Sequence, residues 1–447
     1  MEMKKAVKEQ ILSVAISLSA VATAFSEPIL KVGFMTDTHM EIPVATATRV
    51  RQAFELFKAK EVDAVMHCGD LADWHYPEAY AHYRKALDDT FKDSGKRPDF
   101  FYVHGNHDAL NPDCNTILHP ELRGKNLPNR SLDLLSAFKD MDERLGITHP
   151  LLVETEIKGI PFFIMPESWG DPAVGLGVDL VDKRLTAFCD AHPGKPIVVL
   201  AHLPPKETVL FEGRGRGNAP TRRIFEKHPQ IISFTGHNHY SLHSPRCIWQ
   251  GSFTALHTGT LELWRDNLNK KRQPDYPAYG VLIAEFWADK LVVRRFDVRD
   301  GSEIDAENRW TVPLPFDPAT APYTLARQRA REKAAAFPSD AKVDVLKSRK
   351  GTNEIVKVVF PLVQDEGIVE KFRVDAERRD DSGIWKKVGS KEMFSSFHIR
   401  PSDRKGPHSL TFDPGELPSV SGLRIVVTPV GFFGKEGPSL VWTEPNP

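Results

Sequence analysis

Aspartate, asparagine and histidine recur in this sequence as short clusters, each at the end of an apolar run. Asp37-Thr38-His39 follows Leu30 to Met35, and Gly69-Asp70-Leu71-Ala72-Asp73 follows Val62 to His67. Gly105-Asn106-His107-Asp108 follows Phe100 to His104, His202 ends the run that begins at Ile197, and Gly236-His237-Asn238-His239 comes just after Ile231 to Phe234. Imidazole nitrogens and carboxylate oxygens suit borderline cations such as Zn, Fe or Mn, and the lack of thiolate in the clusters argues against soft-metal storage. Asp70 is the natural bridge between two ions, because one carboxylate can bind both and offset their repulsion. Two cations about 3.5–4 Å apart clamp the attacking and departing oxygens of an in-line displacement at phosphorus and acidify a bridging water into hydroxide. His107 follows a candidate ligand directly, so its ring is expected to point differently, toward protonating a leaving alkoxide or gripping a phosphate oxygen. Asp73, three residues after Asp70, is placed to hold that ring and favour its protonated form.

Those clusters need a scaffold that delivers them together. The runs Leu30 to Met35, Val62 to His67, Phe100 to His104, Phe162 to Met165, Ile197 to Ala201 and Ile231 to Phe234 read as short buried strands. Between them, Thr46 to Ala59, Ser131 to Leu145 and Val181 to Ala191 carry apolar residues at helical spacing, and Gly146 reads as a helix C-cap. Alternation of this kind predicts α/β layers with a largely buried sheet, and five segments are expected to meet at one carboxyl edge of one sheet. The glycines before Asp70, Asn106 and His237 are expected to allow a sharp turn there. After Trp310 the composition shifts to Pro and Ala, which predicts a linker over 313–339 with an embedded helix from Ala326 to Ala336. From Asp340 onward short strands recur between turn residues, the pattern of a small all-β sandwich over 340–447.

At 447 residues the chain is too long for one ordinary core, and 41% hydrophobic with 27% charged residues excludes global disorder. A formal net charge of −1 gives no general attraction to duplex nucleic acid or anionic membranes, so any phosphorylated substrate must be gripped locally. Arg214 and Arg216, in a Gly-rich loop between His202 and His237, are the candidates for that grip. Lys4, Lys5 and Lys8, the apolar stretch from Ile11 and the Ala22-Thr23-Ala24 site read as a signal peptide over 1–24, too short for a membrane span. Export to the periplasm or exterior is the expectation, and no transmembrane segment is expected in the mature chain. The cysteines at 68, 114, 189 and 247 allow three pairings and receive no chemistry.

Asp-x-His, Gly-Asp-x-x-Asp, Gly-Asn-His-Asp, a lone His and Gly-His-x-His together resemble the calcineurin-like metallophosphoesterase superfamily, over about Leu30 to Arg309. The resemblance implies an α/β four-layer αββα sandwich over 27–312. It implies one metal at Asp37, His39, Asp70 and His239 and another at Asp70, Asn106, His202 and His237, with His107 catalytic and Asp73 orienting it. Purple acid phosphatases carry a tyrosine ligand where Asp73 stands, so a purple iron chromophore is not expected. Protein Ser/Thr phosphatases carry an arginine where Trp74 stands. The Ala201-His202-Leu203-Pro204-Pro205 run is similar to a segment of bacterial cyclic-nucleotide phosphodiesterases, with Ala201 in place of their preceding histidine. The trailing unit is similar to a fibronectin type III domain, with Trp385 and Trp442 expected in its core.

The implied function is a secreted dinuclear-metal phosphoesterase acting on a phosphomonoester or phosphodiester, small or macromolecular, with two divalent or trivalent ions (Mn, Fe or Zn). Nucleotide or cyclic-nucleotide hydrolysis is one alternative. A non-catalytic protein binding a surface or glycan through the trailing unit is another. Removing everything after Asp340 is expected to spare the chemistry.

Overall fold

The computed structural model describes residues 27–40, 47–114, 125, 132–147, 150–166, 176–210, 217–266, 271–277, 279–350, 353–417 and 421–445. The expected leader, Arg214 and Arg216 lie outside the described residues. No described helix is long and apolar enough to cross a membrane.

Strand β1 (Leu30–Met35) is buried on both faces. Leu30, Val32 and Phe34 enter one apolar cluster, while Met35 enters another. That division follows from the twofold alternation of a strand. Parallel to β1 runs β2 (Ala64–His67), and parallel to β2 runs β3 (Asp99–Tyr102). On the other side of β1 the partner is β12 (Gly280–Phe286), antiparallel, followed by β13 (Lys290–Asp297). The strands β14 (Ser302–Ile304) and β15 (Trp310–Pro313) both pair with β13 and complete a seven-stranded mixed sheet.

A second, six-stranded sheet holds β4 (Val153–Ile157), β5 (Ile160–Ile164), β6 (Ile197–Leu200), β7 (Ile231–Thr235), β9 (Thr254–His257) and β8 (Ile248–Gln250), in that order. Its central strands β5, β6, β7 and β9 are parallel. The single edge expected from the sequence is therefore shared by two sheets: β1, β2 and β3 come from one, β6 and β7 from the other. Short apolar strands carry no mark of which sheet they join, and β12 and β13, which complete the first sheet, were not anticipated. A hairpin, β10 (Leu263–Asp266) with β11 (Lys271–Pro277), lies off both sheets.

The two sheets share one core. Leu30, Val32 and Phe34 pack in a cluster with Phe162, Ile164, Val198 and Phe234. At its centre the rings of Phe34 and Phe234 stack with centroids 3.8 Å apart and planes 7° from parallel. The outer side of the first sheet meets α1 (Ala47–Ala59), whose Val50, Phe54 and Phe57 are fully buried, and α2 (Pro77–Phe91). Gly33 gives Phe57 its place, since a Cβ there would overlap the ring. In α3 (Leu134–Leu145), Asp133 caps the first turn by accepting from Ser136 N, and Gly146 closes the helix at φ 62° as its sequence position predicts. Val181, Leu185 and Phe188 of α4 (Val178–Ala191), with Ile224 and Phe225 of α5 (Ala219–Phe225), join the cluster shared by the two sheets.

The expected linker is fastened down rather than free. Tyr323 N donates to Gln250 Oε1 at 2.9 Å, and Thr311 N donates to the Tyr323 hydroxyl at 2.8 Å. Its helix α6 (Leu325–Arg331) is shorter than the Ala326 to Ala336 expectation. Beyond it, β16 (Asp344–Lys350), β17 (Asn353–Phe360) and β20 (His408–Phe412) form one antiparallel sheet. The strands β19 (Trp385–Phe394), β18 (Val369–Arg379), β21 (Leu423–Gly431) and β22 (Leu440–Thr443) form another in that order, and both contribute to one apolar cluster. Trp442 packs against that cluster. Trp385 does not enter it: it opens the edge strand β19, with Arg379 and Arg424 over its ring at 5.0 and 5.4 Å.

Removing the stacked ring at the inter-sheet centre tests this packing. Phe234→Ala is expected to destabilise the protein by about 3–5 kcal/mol in urea denaturation, because it removes a fully buried ring from the core that the two sheets share. A loss below about 1 kcal/mol, the range of volume-conserving changes, would show that the sheets do not depend on this contact.

Candidate metal centre

Asp37 and His39 follow β1, Asp70 and Asp73 follow β2, and Asn106 and His107 follow β3, while His202 follows β6 and His237 and His239 follow β7. All seven candidate ligands converge. Asp37, His39, Asp70 and His239 form one group with ligand atoms within 4.8 Å of one another, and Asp70, His202 and His237 form a second. Asp70 belongs to both. Asn106 joins the second group through Oδ1, 3.2 Å from His202 Nε2.

Five of the seven candidate ligands are held from behind, so that a remaining donor faces inward. Asp37 Oδ2 accepts from Thr36 Oγ1 at 2.9 Å and His237 N at 2.8 Å, while Oδ1 is buried without a hydrogen bond, 3.2 Å from His239 Nε2. His39 Nδ1 faces Asp73 Oδ1 at 3.1 Å, and its Nε2 lies 2.8 Å from His239 Nε2. His239 Nδ1 is 2.9 Å from Glu262 Oε2. His202 Nδ1 meets the Cys68 carbonyl at 2.8 Å, which turns Nε2 toward Asp70 Oδ2 at 3.1 Å and His237 Nδ1 at 3.2 Å. Asp70 Oδ1 accepts from His107 N at 2.8 Å. Facing imidazole nitrogens, with a shared carboxylate and an orphaned carboxylate oxygen between them, fit a pair of borderline cations.

The backbone is bent hard to achieve this. Asp37, His39, Asp70, His237 and His239 all have φ between 40° and 73°, the left-handed region that a side chain makes costly. The glycines serve differently from the expectation. Gly69, at φ 93°, does supply a turn, but Gly105 and Gly236 lie outside the left-handed region and instead supply room. A Cβ on Gly105 would collide with Asp70, and one on Gly236 with Thr36 and Asp37.

Charge follows the same plan. Burial favours a protonated Asp37, but the adjacent His239 and His39 rings outweigh it and hold the carboxyl well below its usual range. Burial likewise pushes Asp70 up, and the His202 and His39 rings reverse it, so its pKa is lowered. Burial disfavours a charged His39, yet Glu262, Asp37, Asp73 and Asp70 surround it and raise its pKa well above 6.5. His237 goes the other way. Burial and the neighbouring His202 depress it to about 3, leaving a neutral ring ready to donate a lone pair.

His107 is held by Asp73, whose Oδ1 lies 3.0 Å from its Nδ1 and whose carbonyl lies 2.9 Å away. Its side chain keeps 21% exposure while Asp37, His39 and Asp70 are sealed, so a substrate can reach it. Asp73 does more than the sequence suggested, because the same Oδ1 also faces His39 Nδ1. Burial raises Asp73, and His107 and His39 more than offset that, lowering its pKa and keeping it ionised.

Two acidic residues escaped the sequence reading. Asp108, inside the Gly-Asn-His-Asp cluster, accepts from Gly105 N at 2.9 Å, Ala72 N at 3.0 Å and Leu71 N at 3.3 Å, tying the second and third clusters together. Its position in the motif was the available signal. Glu262 has no motif around it and is placed only by tertiary structure. Arg222 is committed to Glu226 and to the Trp249 ring, 4.4 Å away, and His75 to the Asp108 carbonyl at 2.7 Å.

Residues 30–241 match the family description Calcineurin-like phosphoesterase. No curated protein matches the chain in sequence. Solved structures similar to it include a dimetal phosphatase from Danio rerio, 13% identical over 64% of this chain and 100% of that one, TM-score 0.39. A purple acid phosphatase from yellow lupin (Lupinus luteus) seeds is 13% identical, covering 65% of this chain and 55% of that one, TM-score 0.41. A phosphoesterase from E. coli is 14% identical, covering 64% of this chain and 100% of that one, TM-score 0.28.

The crowding at Gly105 gives a direct test. Gly105→Ala is expected to displace Asp70 and weaken Mn2+ binding, read by calorimetry, by at least the roughly 10–100-fold typical of a disturbed ligand support. Binding equal to wild type would show that the close approach is not needed. The motif order, the convergent donors and the match agree: residues 30–241 form a calcineurin-like phosphoesterase domain.

Proposed function

We propose that the chain is a dinuclear metal-dependent phosphoesterase that hydrolyses a phosphomonoester or phosphodiester. The observation that carries this reading is Asp70, a buried carboxylate common to two groups of convergent donors. Asp37, His39, Asp70 and His239 would hold one ion, and Asp70, Asn106, His202 and His237 the other, with Mn, Fe or Zn suited to these donors. Bound there, the pair would supply positive charge to two phosphoryl oxygens and make a nucleophile available from water at neutral pH.

The chain's own contribution is orientation and proton handling. Asp73 fixes the His107 ring by Nδ1, leaving Nε2 to protonate the departing alkoxide or hold a phosphate oxygen. The clustering of outer strands and helices against the paired sheets supports a four-layer αββα arrangement for the catalytic part. Seven antiparallel strands in sheets of three and four support a fibronectin type III-like sandwich at the end of the chain. The basic and apolar leader pattern supports export. The phosphorylated substrate, small or macromolecular, would meet no general basic surface, which disfavours duplex nucleic acid.

The decisive assay compares a nitrophenyl phosphate monoester with the bis-ester in the presence of Mn2+, Zn2+ or Fe. Turnover of either that a chelator abolishes is expected, and Asp70→Asn should lower it by at least about a thousandfold, since the bridge serves both ions. Full activity in Asp70→Asn would overturn the bridging role. His107→Ala is expected to lower kcat by about 10²–10⁴-fold with Mn2+ affinity retained. Unchanged kcat would remove His107 from proton transfer.

A further inference from the structure

The loop that carries His237 and His239 is gripped from the far side by the trailing β-unit. Tyr240 follows His239 directly and is buried. Its hydroxyl donates to Glu370 Oε1, on β18, at 2.7 Å. Arg246, at the other end of the same loop and also buried, donates through Nη1 to Glu370 Oε1 at 3.2 Å. Around this polar core the Tyr240 ring packs against Phe394 and Phe397, with centroids 6.5 and 6.1 Å apart, and Phe432 joins the same apolar cluster. Glu370 is itself anchored, since its carbonyl accepts from Ser395 N at 3.0 Å. One carboxylate from the β-unit thus ties both ends of a short segment, Tyr240 to Arg246, that leads out of the candidate metal centre.

From this we infer that Glu370 is a positioning residue for the metal centre, acting through Tyr240 on His239, and that the trailing β-unit is part of the catalytic machinery's support rather than a removable appendage. The inference rests on the two-metal reading. His239 sits at φ 47° and His237 at φ 73°, so their backbone does not hold this shape by preference. Restraint must come from outside the loop. On the inner side Glu262 faces the His239 ring; on the outer side Glu370 holds the next residue. Loss of a carboxylate placed directly on a ligand ring, as Glu262 is, weakens metal binding by about 10–100-fold; Glu370 acts one residue further out, through the backbone between Tyr240 and His239, so its effect is expected at the low end of that range.

The test uses the full chain, stripped with chelator and titrated with Mn2+ by calorimetry, alongside thermal melting of the metal-free forms. Wild type is expected to bind two ions. Glu370→Ala should bind with affinity weakened by about tenfold or more. Because that variant removes the carboxylate opposite the buried Arg246, Tyr240→Phe, which removes one hydroxyl, serves as the second probe and should weaken binding by several-fold, on the order of one buried hydrogen bond. Glu370→Gln keeps an acceptor for Tyr240 but not the charge opposite Arg246, and should bind more tightly than Glu370→Ala and more weakly than wild type. Arg400→Ala, which removes the exposed Arg400–Asp300 pair elsewhere between the β-unit and the catalytic part, should leave affinity unchanged. Wild-type affinity in folded Tyr240→Phe and Glu370→Ala would overturn the inference while leaving the metal centre intact. Equal weakening by Arg400→Ala would overturn it as well, by showing a general effect of the interface. Failure of wild type to bind any metal would overturn the two-metal reading and the inference with it.

Discussion

The carboxylate of Asp70 must reach two groups of donors at once, and much of the surrounding architecture is the consequence. Its Oδ1 is held by the amide of His107, and its Oδ2 lies between His202 and His39 at 3.1 and 3.5 Å. No straight strand end presents a side chain in that way. The residue therefore adopts φ 56°, after Gly69 at 93°, and the third cluster must pass so close that only glycine fits at position 105. Asp108 then accepts amides from both clusters and fixes their separation. Burial and the Asp70 charge raise the Asp108 pKa, and those amides counter the shift, so the backbone itself stabilises a second acid beside the first.

Five candidate ligands in left-handed backbone carry a cost of about 1–3 kcal/mol each, a large fraction of the 5–15 kcal/mol by which a domain is usually stable. Such strain persists only where the surroundings over-determine it. Here the surroundings are two sheets whose facing residues are fully buried, with Phe34 stacked on Phe234 a few residues before Asp37 and His237 respectively. The ring pair fixes the separation of β1 and β7, and with it the approach of the two strands' distorted ends. Beyond that fixed point Thr36 passes close to Gly236 and the amide of His237 donates to Asp37. Core packing and ligand geometry are thus one problem, solved along the same two strands.

Much of the site was legible in the sequence because metal ligation restricts residue type and strand ends restrict position. Asp37, His39, Asp70, Asn106, His202, His237 and His239 each carry both marks. Asp73 and His107 were legible as a pair, since their spacing from Asp70 and Asn106 brings them to adjoining turns. What escaped was whatever depends on distance in space alone. Glu262 has an ordinary sequence neighbourhood and matters only because β9 carries the following chain behind His239. The division of the strands between two sheets was illegible because a four-residue apolar run looks the same in either. Gly105 and Gly236 were noticed for the wrong reason: flexibility is a local property, but clearance from Asp70 and Thr36 is a tertiary one. Trp385 was misplaced because the resemblance to a fibronectin type III strand put it in the core, whereas arginines at 379 and 424 cover it on an edge strand.

Residues 30–241 hold every candidate ligand, yet the supports continue past that boundary. Strand β12 pairs with β1 from Leu30↔Phe286 to Phe34↔Leu282, so the strand that delivers Asp37 is flanked on one side by chain from outside the matched region. Glu262 and Glu370 are also outside it. Both are acidic, both are buried, and both meet the segment from His239 to Arg246. The reason is electrostatic as well as mechanical. A histidine ligand held by a carboxylate on its far nitrogen is a better donor, and a loop that carries a buried arginine needs an anion to stay folded inward. The sequence between the ligands determines which atoms can converge. The sequence after them supplies contacts that hold those atoms in place, and Glu370 brings the trailing β-unit, which carries none of the seven candidate ligands, against the segment that follows His239.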